Sequence, residues 1–117
     1  MGSGARGRTG LYRGSSRSDD CDVEEYNVEV DEVTNCPYYQ DHSSLPEVGA
    51  EITIGSELYK KRLPVLIDGE VLGVLPPRFS RILKCFTRGY RYTGSIQVAK
   101  RGEIPEVQIS IRTILPK

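Results

Sequence analysis

The sequence predicts a mainly β domain: a small antiparallel, barrel-like sheet of about six strands, OB- or SH3-like, with one short helix. Three observations carry this expectation. Apolar and polar residues alternate with a period of two around Val28, Ile52, Tyr92 and Ile109, the pattern of strands with one wet face. Asp68-Gly69 splits two apolar runs, the strongest short-range hairpin signal, since both central residues of a type I′ turn need positive φ. Only residues 77–88 carry apolar groups at helical spacing. A length of 117 residues leaves room for one domain.

Taken in order, residues 1–22 predict a disordered Arg/Gly-rich tail and residues 23–117 a single folded unit. Leu11 and Tyr12 are the only large apolar groups in the first 18 residues, too few to offset the entropy of ordering them. The first strand is expected from Glu24, with Tyr26, Val28 and Val30 inward and Asn27, Glu29 and Asp31 outward. Residues 35–47 (NCPYYQDHSSLPE) read as a long, Pro- and polar-rich loop containing His42, with 36–46 the most mobile internal segment. The second strand is expected to turn Val48, Ala50, Ile52 and Ile54 inward.

Residues 63–67 and 71–75 form the expected hairpin. Pro76-Pro77 then stops the strand, and proline suits the first position of a helix. Over residues 77–88 the α-helical spacing puts Phe79, Ile82, Leu83 and Phe86 on one face. Arg78, Arg81, Lys84 and Arg88 form a basic stripe opposite, and Gly89 supplies the stop. Two long strands follow, with Tyr90, Tyr92, Ile96 and Val98, then Val107, Ile109 and Ile111, facing the core.

A formal charge of zero conceals a strong segregation. Residues 1–18 hold four arginines and no acid, residues 19–57 twelve acids and no Lys or Arg, and residues 58–117 twelve cations against four acids. The three segments carry +4, −12 and +8. Such asymmetry predicts a polyanionic partner or an internal pairing of opposite faces. Cancellation would require the acidic strand to adjoin the basic helix, because exposed charges beyond about 10 Å are screened at ordinary salt.

The basic cluster Lys60, Lys61 and Arg62, the helical Arg81 and Arg88, and Arg91 are the candidate nucleic-acid contacts, with Tyr59 as a stacking platform. Single-strand binders combine a basic groove with aromatic rings in this way. The alternative is a protein-interaction or self-assembly domain, acting through the acidic strand 24–32 and the basic helix 77–88. No catalytic, cofactor or metal site is expected. Cys36 and His42 lack the close pairing of zinc ligands, and Cys85 with His42 makes a thin case for a nucleophilic couple.

The stretch 68–83, DGEVLGVLPPRFSRIL, resembles the second half of a HIRAN domain, a small β-barrel module attached to DNA-remodelling helicases or standing alone in bacteria. The match lies in a hairpin that ends in Gly73-Val74-Leu75-Pro76 and runs straight into a helix from Pro77, and it extends at most over residues 58–112. Where the family carries an Asn/Asp-rich segment before the hairpin, this sequence has Leu58-Tyr59-Lys60-Lys61-Arg62-Leu63-Pro64. The resemblance implies a partly open barrel that binds single-stranded or end-exposed DNA.

No apolar run is long enough to span a membrane, and MGSGARGRTG lacks the apolar stretch of a secretory signal. The odd set Cys21, Cys36 and Cys85 predicts three free thiols in a reducing compartment, hence a cytoplasmic protein; one disulfide with one free thiol is the alternative.

Overall fold

A computed structural model describes residues 21–114. Six strands form one antiparallel sheet: β1 (Glu24–Glu29), β2 (Glu51–Ile54), β3 (Pro64–Ile67), β4 (Glu70–Val74), β5 (Arg91–Lys100) and β6 (Glu106–Ile114), in the order β1-β6-β5-β2-β3-β4. The sheet is not closed by a ladder. Its outer strands approach through a single bridge, in which Asp31 and Val74 exchange backbone hydrogen bonds of 2.8 and 2.9 Å. Gly73 makes that approach sterically possible: a Cβ there would overlap the Val30 side chain and lie 2.6 Å from the Asp31 carbonyl oxygen.

The Asp-Gly hairpin forms as expected, with Ile67 paired to Glu70 across Asp68 (φ 50°) and Gly69 (φ 82°). The core takes its inward rows from β5 and β6, with Tyr92, Ile96, Val107, Ile109 and Ile111 all buried, but Val98, expected inward, is only half-buried because the β5–β6 register shifts between Ile96 and Val98.

Four further expectations about strands and helices are corrected. Tyr26 lies outside the core, 63 % exposed, while Val28 and Val30 are buried. Asn27 adopts φ 55° where the β1–β6 register slips between Glu25 and Val28, and this bulge breaks the alternation. Val48 is exposed, because β2 begins only at Glu51. Within the expected loop, residues 37–42 form a short helix, α1 (Pro37–His42), opened by Pro37. His42 has partners there: its Nε2 lies 2.7 Å from Glu70 Oε1 and its ring packs on Tyr38, with centroids 4.2 Å apart.

The fourth correction concerns residues 77–88. They form a helix with the predicted bounds, ended by Gly89 at φ 92°, but it is a 3₁₀ helix. A period of three residues aligns Phe79, Ile82 and Cys85, and all three are fully buried, whereas Leu83 is only partly so. Arg78, Arg81 and Lys84 fall on the next row and stay exposed. The α-helical spacing therefore misplaced Cys85, which points inward.

There it forms a disulfide with Cys21, the Cα atoms 5.7 Å apart, and Cys36 is the one free cysteine, also buried. Three free thiols are thus not what the fold contains. The bond closes a loop of 64 residues, worth about 4 kcal/mol if it acts mainly by restricting the unfolded chain. Tyr92 fixes the same corner, its hydroxyl donating to the Cys21 carbonyl at 2.7 Å. Cys21 and Val23 are buried, so the folded part includes Cys21 and Asp22, which the sequence assigned to the tail. Residues 1–20, the rest of that expected tail, lie outside the described residues. Among the described residues no helix is long and apolar enough to cross a membrane.

Candidate nucleic-acid interface

After Ile54 the chain leaves β2 and makes a tight turn before entering β3 at Pro64. Within this connection Tyr59 and Arg62 exchange backbone hydrogen bonds, Tyr59 N–H to Arg62 C=O at 2.8 Å and the reverse at 3.1 Å. Lys60 and Lys61 form the tip between them, with φ of 53° and 66°. Two consecutive positive φ values at the centre of a two-residue loop define a type I′ turn.

Beside this turn lie two adjoining hollows of about 570 and 490 Å³ that share Ser56, Phe86 and Arg91. The first is bordered by Leu58, Tyr59, Leu66 and Val71, the second by Leu83, Lys84 and Thr87. Together they make one groove between the β2–β3 connection and the C-terminal half of the 3₁₀ helix. Its floor is apolar, and aromatic rings and cations stand along it.

Arg91 is held rigidly at the centre. Its Nη1 donates to the Phe86 carbonyl at 3.2 Å and the Tyr90 carbonyl at 2.7 Å, and its guanidinium lies 5.8 Å from the Phe86 ring centroid. Phe86 packs edge-on against buried Tyr92, with centroids 5.5 Å apart. The groove wall is thereby fastened to the core through offset rings.

Of the seven contacts expected from sequence, the structure brings Tyr59 and Arg91 into this groove, while Lys60 and Lys61 tip the turn that carries Tyr59 and line neither hollow. The Lys60 ammonium lies 5.8 Å from the Tyr59 ring centroid. Arg62 turns away from the groove: its guanidinium pairs with the Asp31 carboxylate, and its Nε donates to the Leu75 carbonyl at 2.9 Å. Arg62 therefore anchors the turn and the Asp31–Val74 bridge. Arg88 donates to Cys21 Sγ at 3.3 Å and stacks over Tyr90, and Arg81 is exposed on the helix; neither borders the groove.

Phe86 and Lys84 were missed as groove residues. Phe86 reads as core from its spacing, and it is core on one side and groove wall on the other. Cys85 and His42 are not partners: the first is in the disulfide and the second on Glu70.

Strand order, invisible in the sequence, decides whether the acidic segment masks the basic one. It does so in part. Arg78 pairs with Glu25 of β1 at 2.9 Å, and Arg62 pairs with Asp31. Lys60, Lys61 and Lys84 form no ion pair among the described residues. A separate hollow of about 490 Å³ collects Glu29, Asp31, Glu32 and Glu106 around Ile104. It shares no lining residue with the groove, so the two fields have distinct surfaces.

Two titrations bear on these elements. Burial pushes the Cys36 thiol up, against the lowering charge of Lys60, which leaves it protonated and inert near neutrality. The hydrogen bond from His42 holds the Glu70 carboxyl below its ordinary value.

Comparison with protein-family models, with curated proteins and with solved structures returns no match to this chain.

Proposed function

We propose that this domain is a non-catalytic nucleic-acid-binding module that lays single-stranded or end-exposed DNA along the groove between Tyr59 and Lys84. The observation that carries the reading is the composition of that groove: an apolar floor, Tyr59 and Phe86 as π surfaces, and Arg91 and Lys84 as cations against one carboxylate, Glu57. Each stacked base contributes about 1–3 kcal/mol in such sites without regard to its identity. The HIRAN-like hairpin-to-helix step supports the same reading, since it brings β4 into the helix that forms one wall. No cofactor enters the proposal.

The test is fluorescence anisotropy with a short labelled oligothymidylate at several salt concentrations. Binding should weaken with salt along a log–log slope of about −0.7 per phosphate contact. No binding at about 50 mM salt removes the proposal, since phosphate contacts are strongest there.

The acidic hollow favours a second reading, association with another protein or a second copy. Ile104 stands there 88 % exposed among carboxylates, a surface suited to a basic, partly apolar partner. Sedimentation at two ionic strengths separates the readings, because charge-driven self-association dissolves as salt rises. The proposed cytoplasmic location turns on the Cys21–Cys85 bond. A cytoplasmic chain would hold both as thiols, so isolation of the oxidised form from cells would place the protein in an oxidising compartment.

A further inference from the structure

We infer that the Tyr59–Arg62 turn is a phosphate clasp: Lys60 and Lys61 grip the phosphodiester of a strand whose adjoining base stacks on Tyr59. The inference rests on the nucleic-acid reading above and assigns the point on the groove where the backbone of the strand is held. Four observations meet at this turn. Its two central residues are both lysines at positive φ, 53° and 66°, a conformation that side chains bearing a Cβ resist. Asn-Gly would fit the same backbone without that cost. Both lysines are exposed, and neither has an acid partner among the described residues.

The base of the turn, by contrast, is fixed. Mutual Tyr59–Arg62 hydrogen bonds and the Arg62 contacts with Asp31 and the Leu75 carbonyl hold it against β4. The clasp is therefore presented on a rigid stem. Finally, the Lys60 ammonium rests 5.8 Å from the Tyr59 ring centroid. A base arriving on that ring displaces the ammonium, which turns to the phosphate next to it. Strained backbone held in place by its surroundings is commonly found where a side chain has a task other than folding.

The consequence is that stability and binding should respond with opposite signs. In the Lys60→Asn/Lys61→Gly variant, Tm should rise by about 5 °C for a domain of this size. Its affinity for oligothymidylate should fall on the order of tenfold at low salt, with the salt slope shallower by about 1.4. Lys60→Gln/Lys61→Gln keeps the strain and removes the charge, so it should lose the same affinity with no gain in Tm. An Asn-Gly variant that binds like the parent overturns the clasp and leaves the groove reading intact. One that melts no higher than the parent overturns the strain argument. A parent that binds no oligonucleotide removes both readings, and the melting comparison still reports on the turn.

Discussion

Two tight turns in this domain share a backbone and differ in almost everything else. Asp68-Gly69 joins β3 to β4, and Lys60-Lys61 tips the connection just before β3; all four residues have positive φ. The first pair is what the geometry prefers. The second is two exposed cations that oppose it. Each turn is followed by a charged residue that reaches across to another element: Glu70 to His42 of α1, and Arg62 to Asp31 beyond β1. One turn is built for its backbone and the other in spite of it. The lesson is that turn chemistry has two separable parts, the dihedral angles at the tip and the side chain that moors the stem.

The largest expected effect lies outside the turns and sets the scale for them. Cys85→Ser should lower stability by about 4 kcal/mol, the chain-entropy value for a loop of this length. Against a typical total of about 5–15 kcal/mol, a urea melt would register this as a large drop in midpoint. An unchanged midpoint would mean that the bond does not form in solution.

Next comes the tip of the favourable turn. Gly69 has φ 82° and open space on the side where a Cβ would stand, so the cost of substitution is purely conformational. Gly69→Val should cost about 2 kcal/mol, seen as a fall in Tm of roughly 10 °C. If it costs nothing, dihedral preference does not distinguish the two turns, and the comparison collapses.

Mooring is tested by Arg62→Met, which keeps the length of the stem and removes its donors. The pair with Asp31 is partly solvated, with side-chain exposures of 22 % and 40 %, so the expected loss is only about 1–2 kcal/mol. Guanidinium denaturation is a poor readout here because it screens the pair; urea is preferable.

The smallest effect belongs to Glu70. Its carboxyl is held below the ordinary value of 4.5 by the hydrogen bond from His42. The folded state therefore binds its proton less readily than the unfolded chain does. Its contribution is complete above that ordinary value and fades as pH falls through the lowered one. The Tm difference between the parent and Glu70→Gln should be small at pH 6 and vanish in acid, as followed by calorimetry. A difference that grows on acidification would contradict this sign.

What the sequence made legible follows from which signals are local. The Asp-Gly hairpin, the inward row of β6 and the bounds of the 77–88 helix depend on neighbours within a few residues, and all appear as read, whereas the β5 row holds at Tyr92 and Ile96 and fails at Val98, past a register shift. Tyr26 was misplaced because a bulge at Asn27 leaves no mark in a binary pattern. Cys85 was misplaced because 3.0 and 3.6 residues per turn agree over one turn and part over three. The groove was legible only in pieces. Tyr59 and Arg91 were singled out, but their neighbour Phe86 looks like any core residue. Arg62 looks like any other surface cation until the crossing of residue 31 over β4 supplies Asp31. Those outcomes are decided by strand order, to which residues distant in sequence contribute equally.

The period-three helix makes this segment unusually intolerant of length changes. Its side chains fall in three rows separated by a third of a turn. Removing one residue between Pro77 and Phe79 would shift every later side chain by one row. Leu83 and Phe86 would then take the row now filled by Ile82 and Cys85, and the cysteine would move to the exposed row of Arg81 and Lys84, out of reach of Cys21. A substitution at Arg81 or Thr87 disturbs one position, whereas a one-residue deletion would reassign the whole helix. Natural variation in this segment should therefore proceed by replacement at constant length, or by gain or loss of three residues at a time.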